Sequence, residues 1–262
     1  MLWEIVGTPH RILNSFHLLP EKFVLPDWVA TSYQGIGRFV FESDYRDESI
    51  KSIGLDPSRA HLDIPGAAEA YSRASEFTIS IGRAEPFEAL RPWKAAFYVV
   101  NCLMAYVGMV HAKGVDSLLW AKADSEHLLV DFLESPGRSL ELLDLSCKNA
   151  MGGLHFFEKT ITDAQSGAAL TEFNNILRAW AAGDLQKLTL IYDKVLAEFP
   201  YVYEPLIRQR NREWPLVAQR MIADKVATLF VVGALHTVGP GNLLEELGKF
   251  GIQTNNISGI EN

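Results

Sequence analysis

The stretch TLFVVGALHTVGPGNLLEEL, residues 228–247, constrains the fold more than any other part of the chain. Its short apolar run bounded by glycine reads as a core strand, and Leu243, Leu244 and Leu247 recur at the spacing of a helix face. The unit is strand, loop, helix, with His236 at the junction. In parallel α/β sheets that junction lies at the carboxyl edge of the strands, where crevices form and ligands bind. A titratable residue there is placed for chemistry.

Three further apolar runs end in the same way: RILNSFH on His17, RFVFE on Glu42 and LLVDFLE on Glu134. Any one of these is explained by a polar group that closes a strand at the solvent edge. Four together point to one crevice. Imidazole and carboxylate are the groups that bind a catalytic zinc or manganese, or that share general acid and base roles near neutral pH. Neither role needs the ligands close in sequence, because each can come from a separate strand. On this reading His236 is a neutral imidazole at the sheet edge, and its replacement by alanine should leave the fold nearly intact. GTPH and GGLH also end on histidine, but His10 falls in a hairpin turn and His155 follows a polar stretch, so both read as structural. His61, His111 and His127 have no partners at a recognisable spacing. The run RQRNREW puts Arg208, Arg210 and Arg212 near a helix start, a pattern that usually marks a solvated face.

The rest of the chain fits an α/β fold with a central mixed sheet flanked by helices. LWEIVG and HRILNSFH read as an amino-terminal β-hairpin, LPDWVATSYQGI as a brief helix and GRFVFESD as the next strand. Residues 64–113 and 139–227 read as mainly helical, the first as a helical insertion or cap. A Gly-Asp break falls at AAGDLQKL, and Pro205 and Pro215 fall near helix starts. Residues 1–262 are expected to form a single domain. The 16 residues from Ala95 to Val110 are apolar apart from Asn101. They fall short of the roughly 20 that a spanning helix needs, so they read as a buried helix with Asn101 partnered in the core. Only the tail NNISGIEN reads as disordered.

A net charge of −8 argues against nucleic acid or anionic lipid as a partner. The oligomeric state is not legible. Cys102 and Cys147 lack a CxxC spacing and read as buried free thiols. The start, MLWEIVG, lacks the pattern of an export signal, so the chain as given reads as cytoplasmic, or as periplasmic if a leader has been removed.

Eight segments, LWEIVG...RILNSFHLLP, FVFES, LRPWKAAF, GVDSLLWAKA, DFLES, AWAAGDLQKL, RNREW and VVGALHTVGPGNLLEELGKFGI, resemble in this order the GumN/TraB family, which includes the Tiki-like proteins. The resemblance runs from residue 2 to about residue 257 and is most specific in the closing segment. It implies an α/β fold shared more distantly with erythromycin-esterase-like and ChaN-like haem-binding proteins. It also implies a site of two strand-end histidines and a glutamate, here His17, Glu42 and His236, and it brings in Glu134, Arg210 and Asn211 as matching positions. The chain departs from the family at Asn14, where glycine is usual; an asparagine there would narrow a loop or add a polar contact to the substrate. Tiki-like relatives imply metal-dependent peptide hydrolysis, with zinc, manganese or cobalt on His17, Glu42 and His236 and with Glu134 as general base or further ligand. Erythromycin-esterase-like relatives instead imply metal-free hydrolysis, in which histidine and glutamate activate water directly. Metal-dependent hydrolysis of a peptide, ester or amide bond is the expected version, because two imidazoles and a carboxylate make a competent ligand set. The substrate that the resemblance implies is a peptide or small molecule. A non-catalytic protein that binds haem or a small metabolite is the alternative on the same fold.

Overall fold

The computed structural model describes residues 1–84, 86–148 and 151–258. Its strands are β1 (Leu2–Ile5), β2 (Arg11–Ser15), β3 (Leu19–Pro20), β4 (Arg38–Phe41), β5 (Met109–Val110), β6 (Leu129–Phe132), β7 (Thr228–Gly233) and β8 (Thr254–Asn256). Six of them form a mixed sheet in the order β6-β4-β7-β2-β1-β8. The neighbours β6-β4, β4-β7 and β7-β2 are parallel, whereas β1 runs antiparallel to both β2 and β8. The architecture is thus the expected α/β one with an amino-terminal hairpin. Every residue of β4 and β7 is buried, as continuous apolar runs require when both faces of a parallel sheet are covered.

Two apolar clusters share the interior. One surrounds the sheet and includes Phe39, Phe41, Val231, Trp180 and Trp214; the other lies among helices and includes Tyr71, Trp93, Val99 and Phe157. Phe173, Tyr203 and Leu206 pack against both clusters. Local signals place the helices well. Pro92 opens the helix Pro92–Tyr106. Gly183 closes the helix Ala168–Ala182 in the left-handed conformation, and the Asp184 carboxylate then caps Leu185–Glu198 through the Lys187 N–H.

Several expectations are corrected. The apolar segment from Ala95 is helical only to Tyr106, and Met109–Val110 pairs with Leu19–Pro20 instead. Asn101 faces solvent rather than the core. Pro215 does not start a helix but lies inside Arg210–Ile222, whereas Pro205 falls, as read, at the start of the π-helical turn Glu204–Gln209 just before it. In the tail Asn255 and Asn256 belong to β8, where pairing with β1 satisfies their backbone; residues 259–262 lie outside the described residues. Cys102 and Cys147 are buried and form no disulfide with each other, as read. Among the described residues no helix is long and apolar enough to cross a membrane.

Candidate active site

Because β6, β4, β7 and β2 are parallel neighbours, their carboxyl ends lie along one edge of the sheet. The residues that follow them meet there. Glu42 comes directly after β4, and Glu134 lies two residues beyond β6, where its N–H continues the ladder to the Glu42 carbonyl. His17 follows β2 in a loop, and His236 lies in the 3₁₀ turn Ala234–Thr237 after β7.

The centre of the arrangement is Arg210. Its Nε donates to both oxygens of Glu134 at 3.1 and 2.9 Å, and its Nη2 donates to Glu134 Oε1 at 2.9 Å and to Glu42 Oε2 at 2.6 Å. Its Nη1 donates to the Leu206 carbonyl at 2.9 Å and to His236 Nε2 at 3.3 Å. Burial acts against a charged guanidinium, but the Glu42 and Glu134 carboxylates outweigh it and keep Arg210 protonated. Burial likewise acts against an ionised Glu42. The charges of Arg210 and His17, together with the Gly233 N–H that donates to Glu42 Oε1 at 2.6 Å, override it and hold the carboxyl far below the ordinary carboxylate range.

His236 is built into the core. It is 2% exposed, and its ring lies on Trp214 with centroids 4.4 Å apart. Asn211 donates through Nδ2 to the carbonyls of His236 and Gly241 at 3.3 and 3.0 Å, which turns its Oδ1 toward His236 Nδ1 at 2.7 Å. Nδ1 therefore carries the proton, and Nε2 keeps a lone pair that meets Arg210. Burial, opposed by Glu42 and reinforced by Arg210 and His17, lowers the His236 pKa to about 3. The imidazole is neutral, as expected, but it is not at a solvent edge, and alanine in its place would leave a hole in the core.

His17 is the accessible member, with 57% of its side chain open to solvent. Its Nδ1 lies 2.9 Å from Asp116 Oδ2. The Asp116 charge, opposed by burial in the crevice and helped by the Asp116 hydrogen bond and by Glu42, raises the His17 pKa to about 9. Asp116 was not legible from the sequence. It lies in the first turn of the helix Val115–Glu126, where a carboxylate is favoured, and the Val115 N–H reaches the Phe16 carbonyl at 2.9 Å. The pairing of β3 with β5 brings this helix start to the His17 loop, and only glycine at 114 permits it, since any Cβ there would overlap the His17 carbonyl.

Gly233 shows how closely the groups converge. A Cβ on it would stand 3.2 Å from Glu42 Oε1, 3.3 Å from His17 Nε2 and 3.7 Å from His236 Cδ2. His17, Glu42 and His236 thus surround one point, and a cavity of about 480 Å³ that they line with Arg210 opens beside it. A second cavity, of about 490 Å³, also reaches His17 and Glu42 from the side of Asp116.

The other expected members differ. Glu134 is neither base nor free ligand, because Arg210 and the Trp214 Nε1–H, at 2.9 Å, engage both its oxygens. Asn211 orients His236 and does not line the cavity. Asn14 lies inside β2, fully buried, rather than in a loop; its Oδ1 accepts from Thr237 at 2.9 Å and its amide points to the Ala234 carbonyl, so it braces the β7 turn and lines neither cavity. Arg210 faces the crevice, whereas Arg212 pairs with Glu204 in solvent. His10 holds Ile222 and Thr228 and is structural, as read.

The donor set fits a metal ion poorly. His236 Nε2 accepts from a guanidinium, which takes the one lone pair that expected ligand would offer a metal, and each Glu42 oxygen already accepts one hydrogen bond, from Gly233 or Arg210, and keeps one further lone pair. Among the described residues no group of three or more His, Cys, Asp or Glu side chains is arranged to hold a metal.

No curated protein and no solved structure matches the chain. The family model for the TraB/PrgY/gumN family matches residues 1–256. With this match spanning nearly its whole length, the chain belongs to the TraB/PrgY/gumN family.

Proposed function

We propose that the chain is a hydrolase of ester or amide bonds, peptide bonds included, that works through His17 and Glu42. The observation that carries this reading is the approach of His17 Nε2 and Glu42 Oε1 to one point at the crevice floor, 3.3 and 3.2 Å away. With its pKa raised to about 9, His17 is an imidazolium at neutral pH, held in orientation by Asp116, and it serves as general acid. Glu42 is ionised and serves as acceptor for the attacking water. The water oxygen adds to the carbonyl carbon while its proton passes to Glu42. The leaving oxygen or nitrogen takes a proton from His17 as the carbonyl–leaving group bond breaks. Return of the proton from Glu42 to His17 through a second water restores both groups. Arg210 fixes the Glu42 carboxylate, and neutral His236 packs beside it without adding a competing charge.

The test is turnover of a panel of peptides and acyl esters by the wild type, His17→Gln and Glu42→Gln, with chelator and with added zinc, manganese or cobalt. Turnover should survive chelation and fall by roughly 10²-fold or more in each variant. Activity seen only with added metal would overturn the metal-free chemistry, and no turnover of any substrate by the wild type would overturn the hydrolase reading.

One observation favours the binding-protein alternative. The His17 ring has Nδ1 on a carboxylate and Nε2 toward a cavity with an apolar wall, which is the arrangement of a proximal haem ligand. A Soret band on haem addition that disappears in His17→Gln would support it.

A further inference from the structure

His17 and Glu42 line both of the cavities described above, and the two cavities differ in chemistry. On one side lie Phe97, Phe173, Ile176, Leu206, Ile207 and Leu235, drawn from three helical segments and the turn after β7. Five of these, all but Ile207, are only half-buried, although they are large apolar groups that a closed core would cover. On the other side lie Phe41, Ser43, Tyr45, His111, Asp116 and Ser117, so that side is apolar in part as well but adds two serine hydroxyls, a phenol, an imidazole and a carboxylate. Burial lowers the His111 pKa, so that ring is neutral and offers a hydrogen bond rather than a charge.

We propose that the substrate is an acyl compound whose apolar acyl part occupies the chamber of Phe97, Phe173, Ile176, Leu206, Ile207 and Leu235 and whose leaving group is polar and uncharged. The scissile carbonyl then stands at the junction, over Gly233. The two ends are assigned by their surroundings. His17 Nδ1 is held by Asp116 and its Nε2 stands at the junction, 3.3 Å from the Gly233 Cβ position, so the leaving atom takes its proton there; the apolar acyl part is covered by the half-buried apolar groups, and the polar part is left the side that carries Asp116, His111 and the hydroxyls. The apolar chamber, at about 480 Å³, has room for a medium-length chain or a large apolar side chain. Water attacks the acyl carbon, the acyl–oxygen bond breaks, and the products are a carboxylic acid and the free polar alcohol.

This inference rests on the hydrolase reading for its chemistry but not for its binding, and the experiment separates the two. Monoacylglycerols from acetyl to octanoyl are compared by acid release, with binding of octanoate followed by melting temperature in parallel. The kcat/KM should rise about fourfold for each methylene until the chamber is filled. Ile176→Trp, which fills the chamber away from the charged groups, should abolish the gain, so that octanoyl is turned over no faster than acetyl. If that variant does not fold, Leu235→Gln should flatten the series instead. Hydrolysis at a rate independent of chain length would overturn the inference and leave the hydrolase standing. Absence of turnover with an octanoate-dependent rise in melting temperature, lost in Ile176→Trp, would remove the hydrolase and support the chamber. Absence of both effects would overturn both.

Discussion

Arg210→Met is the perturbation that tests the site most severely. Methionine keeps much of the volume and removes every donor. Arg210 contributes four N–H···O contacts to two carboxylates, of which Glu134 has 5% and Glu42 15% of its side chain exposed. Without the guanidinium, Glu134 keeps only Trp214, and Glu42 keeps the Gly233 N–H. Removal of one partner from a buried ion cluster costs about 3–5 kcal/mol, because the remaining charge stays buried without compensation. At about 2–4 °C per kcal/mol for a chain of this size, the melting temperature should fall by roughly 6–20 °C at neutral pH. The sign of the pH dependence is the sharper test. In the wild type Glu42 has a depressed pKa, so its contribution is present above the ordinary carboxylate range and is lost only as the pH falls below that range. In Arg210→Met the stranded carboxylates bury more easily when protonated, so the variant should gain stability relative to the wild type between pH 7 and about pH 5. Glu134→Gln in the Arg210→Met background removes one stranded charge, keeps an acceptor for Trp214, and should recover about half of the loss. Differential scanning calorimetry across this range gives all three quantities. A loss under about 1 kcal/mol with no recovery in the double variant would refute the buried-cluster argument.

Four other outcomes are expected. Arg210→Lys should impair turnover through loss of the two-carboxylate fork, while Arg212→Lys, in solvent on Glu204, should not change kcat/KM. Turnover should decline as the pH rises through about 9, where His17 loses its proton, and Asp116→Asn should move that limb in a pH–rate profile toward the ordinary histidine value. His236→Ala should lower stability by about 2–4 kcal/mol in urea titrations, from the cavity over Trp214 and the unpaired Asn211 oxygen. Because burial depresses the His236 pKa to about 3, the stability it confers is complete above the unfolded value near 6.5 and declines as the pH falls toward 3, and His236→Gln should flatten that slope.

The legible part of this site was the part carried by strand ends. His17, Glu42 and His236 each follow an apolar run whose burial is fixed by composition, and a parallel sheet then leaves its carboxyl edge as their place. The order β6-β4-β7-β2 was not legible, because four interchangeable apolar strands give no sign of which lie side by side. Asp116 was missed because 99 residues separate it from His17, and no local spacing reports a contact made by a helix start against a distant loop. Arg210 was hidden in RQRNREW. Residues two apart on a helix point to nearly opposite sides, so Arg212 can reach solvent while Arg210 turns inward, but the pattern of charges alone does not say which side is covered. Asn14 was assigned to a loop by the resemblance and His236 to the solvent edge by its place at a strand end, and both are instead satisfied inside, by Thr237 and by Asn211.

The Gly-x-x-His pattern acquires a physical meaning at Gly233 that it lacks elsewhere in the chain. A 3₁₀ turn has three residues per turn, so positions i and i+3 lie one above the other. After β7 the chain enters such a turn at Ala234–Thr237, which folds His236 back over Gly233, with its Cδ2 3.7 Å from where a Cβ would stand. The absent side chain is then the opening through which His17 and Glu42 approach, and the Gly233 N–H is free to hold Glu42. At GTPH the same spacing spans the hairpin turn between β1 and β2, and His10 is drawn instead to the Ile222 carbonyl. At GGLH it falls inside the helix Met151–Ser166, and His155 faces outward against Phe199. What distinguishes the third occurrence is the buried parallel strand before it, which delivers the glycine to the sheet edge beside β4 and β2. Gly233→Ala therefore separates the motif from the fold. The backbone there is extended rather than left-handed, so alanine carries no conformational strain, yet its methyl would take up the space between Glu42 and His17. Turnover should fall steeply while the melting temperature changes little, and equal loss of both would show that the glycine serves packing alone.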